Sequence, residues 1–271
     1  MSLVSDPPQL LIRSWNIAHG RDVRPGPGYG HAHRKLLAEM AELMIEDGPD
    51  VVLLQEVPVW AGPALREHTG MGLTLAHTYG AHVPFMHIPL PLAAGEWLGR
   101  AMPHVVRSQF EGQAQAVLYG EELVLVSARR VPLNPRTPLR GEPRVAQLVR
   151  LRHRASGREL AIANVHTDYA GVSQQLETAG WALEQFAKGA PMVLGGDLNA
   201  RLGSPAVRRL LARGWLEESG EVNVDHLLVR GLTLEWGATR WLAERRDLHL
   251  GGTMLRLSDH DPVDAVVAFD A

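Results

Sequence analysis

The stretch LGGDLNA, residues 194–200, decides the fold because it places a carboxylate and an amide directly after the apolar run 191–194. A short apolar run bounded by glycine is typical of a buried strand. The two glycines permit close approach of the backbone to another group. We therefore predict a strand over 191–195 whose end presents Asp197 and Asn199 at one edge of a sheet.

Polar side chains recur at or near other predicted strands: some follow a strand, Asp225 lies within one, and Asp259 and His260 precede the last. The full set consists of Asn16, Glu56, His166, Asp197, Asn199, Asp225, Asp259 and His260. Strand ends are where sheet enzymes hold catalytic groups on a rigid scaffold. We therefore expect these residues to form one site.

The composition is that of an ordinary globular chain of 271 residues, 45% of them hydrophobic. Its net charge of −3 provides no global positive field to attract nucleic acid. The absence of cysteine excludes disulfides, thiolate metal sites and cysteine nucleophiles. With no signal-peptide pattern and no apolar run long enough to span a bilayer, we expect a soluble, cytoplasmic protein. With no repeat or linker, we expect a single domain over residues 1–271.

Hydrophobic periodicity predicts helices over 31–47 and 174–188, and Ser204-Pro205 is typical of a further helix start. Strands are predicted over 10–17, 50–55, 73–79, 114–119, 123–131, 144–152, 159–165, 191–195, 222–229 and 263–269. Residues 82–106 are apolar and rich in proline but follow neither period. A packed excursion and a substrate-facing loop both stay open for this segment.

The predicted site is rich in oxygen donors, which suits a hard divalent cation better than zinc. Mg²⁺ takes carboxylate and amide oxygens and keeps several waters. Such an ion polarises a phosphoryl oxygen, while an aspartate held beside a water can activate it for attack. His260 is expected to be cationic near neutral pH, because Asp259 adjoins it and Asp225 belongs to the same set. These residue types together predict phosphoester hydrolysis.

Short motifs along the chain resemble those of the endonuclease/exonuclease/phosphatase family, the metal-dependent phosphohydrolases related to deoxyribonuclease I. In family order they are Trp15-Asn16, Leu54-Gln55-Glu56, Asn164-Val165-His166-Thr167, Gly196-Asp197-Leu198-Asn199, Val224-Asp225-His226 and Ser258-Asp259-His260-Asp261-Pro262. The resemblance implies an α+β fold, a four-layer α/β/β/α sandwich with two mixed β-sheets packed face to face and helices outside. It also implies one active site at an edge of the sheets.

The resemblance assigns metal-binding and water-activating roles. Glu56 would be the main Mg²⁺ ligand, helped by Asn16 and Asp259, with Mn²⁺ as the alternative ion. Asp197 and Asn199 would position and activate the attacking water. Asp259 also belongs to the catalytic group that the resemblance implies.

The resemblance likewise assigns the residues that face the phosphate. His260, oriented by Asp225, would bind the scissile phosphate. His166 would contact the phosphate or assist the leaving group. Asn164 is expected to contact the substrate together with Asn199 and His260.

Neither the motifs nor the fold choose the substrate, because one fold can host many activities. A phosphodiesterase and a phosphatase both stay open, as do a nuclease acting on DNA or RNA and a sphingomyelinase-like lipid phosphodiesterase. The expected partner is a small-molecule, nucleic-acid or lipid-head-group phosphoester, with no stable membrane insertion and no protein partner. A non-catalytic binding module on the same fold is the alternative from a different class.

Some basic and aromatic residues are interpreted as structural. The basic run 134–144, which includes Arg144, is interpreted as a solvated loop in preference to a phosphate contact. Trp60, Trp236 and Trp241 are interpreted as core or rim packing.

Overall fold

The computed structural model describes residues 8–21, 33–83, 88–101, 110–134, 143–217, 223–250 and 252–270. The first large sheet has the order Leu232–Arg240 (β12), Val263–Phe269 (β15), Gln9–Asn16 (β1), Val51–Val57 (β2), Gln113–Tyr119 (β6), Gly72–Tyr79 (β3). The second has the order Asp225–Arg230 (β11), Met192–Asp197 (β10), Glu159–His166 (β9), Val145–His153 (β8), Leu123–Pro132 (β7). Two small sheets pair His82–Val83 (β4) with Ile88–Pro89 (β5), and Asp247–Leu250 (β13) with Thr253–Arg256 (β14).

Two short 3-10 helices span Ala18–Gly20 and Ala243–Arg246, and five described α-helices lie between strands. They are His33–Ile45 (α1), Gly62–Thr69 (α2), Leu92–Ala101 (α3), Val172–Ala187 (α4) and Pro205–Leu211 (α5). The helix α5 begins as its sequence predicts, because the Ser204 hydroxyl accepts the Val207 N–H at 3.3 Å and Pro205 occupies the first turn. None of the described helices is long and apolar enough to cross a membrane.

Three apolar layers hold the elements together and define the architecture. The central layer lies between the two sheets and includes Ile12 and Leu53 from one sheet and Ile162 and Val193 from the other. A second layer packs α4 and α5 on the outer face of the five-stranded sheet. A third packs α1 and α2 on the outer face of the six-stranded sheet. The predicted α+β four-layer sandwich is confirmed.

Both sheets are mixed, and each has a parallel pair of strands near its middle. The parallel pairs are β1 with β2 and β9 with β10, while the remaining pairings in the large sheets are antiparallel. Carboxyl ends of parallel strands meet at one edge of a sheet, where loops can converge on a ligand. This edge carries the polar residues that the sequence singled out.

Most of the predicted strands correspond to observed ones, but several elements were missed. The missed elements are α2, α3, β4, β5, β12, β13 and β14. Residues 82–106, for which no period was found, contain the β4–β5 hairpin and α3, while 84–87 and 102–106 lie outside the described residues. The helix α1 matches the predicted helix over 33–45.

The tryptophans divide between core and surface. Trp60 is 8% exposed and Trp241 is 5% exposed. Trp241 is sandwiched between the guanidinium groups of Arg13 and Arg245, which lie 4.2 and 3.5 Å from its ring centroid. Trp236 on β12 is 50% exposed.

Candidate active site

Strand register brings the predicted residues to one edge of the sandwich. Asn16 ends β1, and Glu56 lies near the end of the parallel strand β2. In the other sheet Asp197, the last residue of β10, lies opposite His166 of β9 and opposite Asp225 of β11. Because the two sheets pack face to face, these strand ends converge.

The carboxylate of Asp197 lies at the centre of the site and is almost fully buried. Its Oδ2 accepts the Asn16 side-chain amide at 3.1 Å and lies 3.4 Å from Nε2 of His166 and 3.6 Å from Nε2 of His260. Its Oδ1 accepts the backbone N–H of Asn199 at 3.0 Å. Asp197 is therefore surrounded by four groups, two from strands and two from loops.

Asp225 and His260 form an ion pair beside this carboxylate. Nδ1 of His260 donates to Oδ2 of Asp225 at 2.9 Å. Burial opposes the charge on His260, but the hydrogen bond and charge of Asp225, followed by Asp197 and Asp259, raise its pKa to about 10. Burial raises the pKa of Asp225 to about 6, against the lowering effect of His260. Between these values both groups are charged, so His260 presents a cation to the site.

His166 is held as a neutral donor. Arg144 donates from Nη1 to Nδ1 of His166 at 3.1 Å, so the ring proton lies on Nε2, which faces Asp197. Burial, followed by the charges of Arg144 and His260, lowers the pKa of His166 well below its usual value. The interpretation of Arg144 as part of a solvated loop is wrong, because its side chain reaches into the site. Residues 135–142 of that basic run lie outside the described residues.

Glu56 lies next to Asn16 and is partly open to solvent. The Asn16 side-chain nitrogen lies 3.4 Å from Oε1 of Glu56, while its amide oxygen accepts the Ala18 N–H at 3.0 Å. In this conformation Asn16 orients Glu56 through its nitrogen, whereas the predicted role as a metal ligand needs the amide oxygen. The Glu56 side chain keeps 28% of its surface exposed.

Two further ionisable residues near Glu56, His19 and Glu111, were not predicted from the sequence. His19 lies with Nε2 3.7 Å from Oε2 of Glu56 and Nδ1 3.9 Å from Oε2 of the buried Glu111. His19 stands three residues after Asn16, a spacing that could have drawn attention to it. Glu111 precedes the strand β6 and carried no recognisable pattern.

Strained backbone is concentrated around the site. Non-glycine residues with positive φ include Ala18, His19, Glu56, Asn199 and Ser258, at 46°, 57°, 52°, 46° and 62°. Such conformations cost free energy and persist where the surrounding structure fixes them. Each of these residues adjoins or belongs to the predicted set, so the fold holds this edge in a defined geometry.

The glycines of the opening stretch are required by packing between strands and sheets. A Cβ on Gly196, whose φ is 133°, would lie 1.9 Å from the Val165 carbonyl oxygen. A Cβ on Gly195 would lie 2.6 Å from Leu227 and 2.9 Å from Leu53 of the opposite sheet. These glycines therefore permit close approach to neighbouring protein groups, whereas the sequence interpretation linked them to approach to a phosphate.

Asn164 occupies a different place from the substrate-facing one predicted for it. Its side chain is fully buried between the sheets. Its amide donates to the carbonyls of Leu54 and Ala116, both at 2.9 Å, and its oxygen accepts from Gln55 at 2.8 Å. With these bonds made, Asn164 ties the sheets together beneath the site, out of reach of a ligand.

A cleft of about 470 Å³ opens beside these residues. Its lining comprises Tyr169, Asn199, Arg201, Asn223, Val224, Asp225, Arg240, Asp259, His260 and Asp261. Asp259 is exposed here, and Tyr169 is 79% exposed. A second hollow of about 600 Å³ between α4 and α5 contains none of the predicted site residues.

The donor atoms at the edge of the sandwich could hold a divalent cation. Asp197, Asp225 and His260 each present a ligand atom, and these atoms lie within 4.8 Å of one another. Nδ1 of His260 is bonded to Asp225, and the cationic ring has no lone pair on Nε2, so the two carboxylates are the donors that remain in this group. Glu56 adds a partly exposed carboxylate next to the Asn16 nitrogen that also contacts Asp197.

The chain matches the profile of a known protein family over most of its length. The profile described as "Endonuclease/Exonuclease/phosphatase family" matches residues 14–260. No curated protein matches the chain.

Solved structures with the same fold share little sequence with the chain. A mannosyl-6-phosphatase from Bacteroides thetaiotaomicron is 15% identical with a TM-score of 0.65, over 96% of this chain and 100% of that one. The human Nocturnin catalytic domain with bound sulfate is 17% identical with a TM-score of 0.67, over 100% of this chain and 96% of that one. Truncated TDP2 from Caenorhabditis elegans is 15% identical with a TM-score of 0.57, over 96% and 97% of the two chains.

Proposed function

The chain belongs to the endonuclease/exonuclease/phosphatase family, and from that premise we propose that it is a divalent-metal-dependent hydrolase of phosphoester bonds. The observation that carries the proposal is the contact of Asp197 with a cationic His260 and a neutral His166 at the edge of the two sheets. One carboxylate able to accept a proton stands beside one cation and one neutral donor. This combination suits attack by water on an anionic phosphoester.

The donor set fits Mg²⁺, with Mn²⁺ as the alternative. Glu56 would hold the ion, with Asp259 as a predicted helper, and Asn16 would join them with its side-chain amide turned so that the oxygen faces Glu56. A partly exposed carboxylate leaves room for the several waters that Mg²⁺ retains. When bound, the ion would offset negative charge on the phosphoryl and leaving oxygens.

The side chains around the ion have separate tasks in this proposal. Asp197 accepts a proton from the attacking water, and Asn199 helps to position that water. His260, held as a cation by Asp225, binds a phosphate oxygen. His166 donates its Nε2 proton as a hydrogen bond to the phosphate or the leaving oxygen, because Arg144 occupies its other nitrogen.

The cleft favours a compact phosphoester as substrate. Its volume of about 470 Å³ is within the range of small-molecule sites. Arg201 and Arg240 line it beside His260, and the exposed Tyr169 offers a ring for a sugar or base. A mannosyl-6-phosphatase is among the structural neighbours, which supports the same substrate class.

The test is hydrolysis of p-nitrophenyl phosphate, bis-p-nitrophenyl phosphate, a sugar phosphate, plasmid DNA, RNA and sphingomyelin with Mg²⁺, Mn²⁺ or EDTA. We expect metal-dependent turnover, and Asp197→Asn should lose about 100-fold or more because it removes the proton acceptor. Asp47→Asn, a substitution of an aspartate whose side chain is 57% exposed, is the matched control and should keep the wild-type rate. Absence of turnover from a folded protein that still binds phosphate would instead support the binding-module alternative.

A further inference from the structure

A buried histidine next to Asp225 has both ring nitrogens bonded to acceptors. Nδ1 of His226 lies 2.9 Å from a carboxylate oxygen of Glu217, and Nε2 lies 2.7 Å from the carbonyl oxygen of Ala200. Carboxylate and carbonyl oxygens accept hydrogen bonds, so each nitrogen must donate. His226 is therefore an imidazolium, paired with a carboxylate whose side chain, like its own, has no exposed surface.

Glu217 also supports the strand that carries Asp225. The strand β11 is the edge of its sheet, with β10 on one side. On the open side, Glu217 accepts the backbone N–H of Leu227 at 3.0 Å. Beside it, Leu216 and Val229 exchange two backbone N–H to C=O hydrogen bonds, each 2.8 Å long. Glu217 thus accepts a backbone hydrogen bond that a neighbouring strand would otherwise accept at this sheet edge.

The other end of the imidazolium holds the loop after β10. Ala200 directly follows Asn199, whose φ is 46° and whose N–H is bonded to Asp197. The bond from His226 to the Ala200 carbonyl therefore links the Asn199 loop to the residue after Asp225. Two segments of the site are fixed to one buried ion pair.

A buried ion pair is costly unless further hydrogen bonds satisfy it, and a neutral pair of similar shape is often no less stable. This pair fixes the orientation of two chain segments of the site, and that positioning role explains why a charged pair occurs here. We propose that Glu217 and His226 are positioning residues that hold the Asn199 loop and the Asp225 strand in the geometry required for catalysis. The effect on turnover rests on the proposed function, whereas the effect on local structure does not.

The experiment compares Glu217→Ala, Glu217→Gln and Leu228→Ala with the wild-type protein. Glu217→Ala removes both bonds, and we expect kcat to fall about tenfold or more with KM changed less than about twofold, because misplaced catalytic groups lose rate. The amide of Glu217→Gln can accept from Leu227 and donate to a neutral His226, so it should restore kcat to within about threefold of wild type. Leu228→Ala truncates a buried side chain of the same strand and leaves the ion pair intact.

Two structural readouts accompany the kinetics and do not need turnover. Nitrogen-15 NMR of the imidazoles should show both His226 nitrogens protonated in wild type and one in Glu217→Gln. Amide exchange at 225–227 and 199–201 should accelerate locally in Glu217→Ala, whereas Leu228→Ala should lower protection across the sheet. Equal kinetic and exchange profiles for Glu217→Ala and Leu228→Ala, or unchanged exchange in Glu217→Ala, would overturn the proposal. If wild type lacks turnover, the NMR and exchange arms still decide it.

Discussion

The contact between Asp225 and His260 leads to a prediction with a distinctive pH dependence. Asp225→Asn removes the anion that, more than any other group, raises the pKa of His260 to about 10. Burial, which opposes the cation, stays in place, and Asp197 and Asp259 still favour it, so the pKa of His260 in the variant should fall toward the ordinary histidine value of about 6.5. At pH 8 the cation fraction then falls from about 99% to about 3%.

The loss of the His260 cation determines the size of the kinetic effect. At pH 8, kcat/KM of Asp225→Asn should be about 30-fold below wild type if the pKa reaches the ordinary histidine value, equivalent to about 2 kcal/mol of transition-state stabilisation. Near pH 6 the variant regains most of its cation, so the difference should shrink to less than about twofold. The assay is kcat/KM on bis-p-nitrophenyl phosphate from pH 6 to 9 at saturating Mg²⁺. Profiles of the two proteins that run parallel over the whole range would refute the reasoning.

The remaining predictions concern protonation and helix capping. Because the folded-state pKa of His260 lies above the unfolded value, the stabilisation is complete below about pH 6.5 and is lost as the pH rises through about 10. The urea midpoint should therefore fall from pH 7 to 10, and fall less in Asp225→Asn; an equal fall in both proteins would contradict this. Arg144→Met removes a charge that lowers the pKa of His166, so NMR should find that pKa raised; an unchanged titration would exclude a role for Arg144. Ser204→Ala removes a helix cap and should cost about 1 kcal/mol of stability in urea unfolding with unchanged kcat; no loss of stability would contradict the capping role.

The buried strands were predictable because a short apolar run in the sequence directly indicates a strand that is covered on both faces. The run 191–195 is apolar since both faces of β10 are covered, one by the other sheet and one by helices. The weakly patterned elements were not predictable in the same way. Strand β12 is largely exposed and contains register shifts, so it lacks a regular alternation. Helix α2 is eight residues long and begins Gly62-Pro63, which reads locally as a turn.

Site residues that belong to a short motif at a strand end were predictable. Site residues whose position depends on packing between distant parts of the chain were not. The residue Asp197 sits in a recognisable strand end, and its neighbours in space follow other strand ends. Arg144 reaches His166 from the beginning of another strand, so its charge appeared to belong to a basic loop. Asn164 lies in a motif, yet alternation along β9 directs its side chain between the sheets. Sequence spacing does not record which of these faces is closed.

In the proposed function, Glu56 holds a divalent ion that phosphoester hydrolysis requires. The most direct measurement is the hydrolysis rate of metal-stripped protein as Mg²⁺ is added back, in wild type, Glu56→Gln and the control Glu177→Gln, whose glutamate is 47% exposed. We predict no rate without metal, and a Mg²⁺ requirement at least about tenfold higher in Glu56→Gln than in the other two proteins. A full rate in EDTA, or the same Mg²⁺ dependence in all three proteins, would contradict the claim.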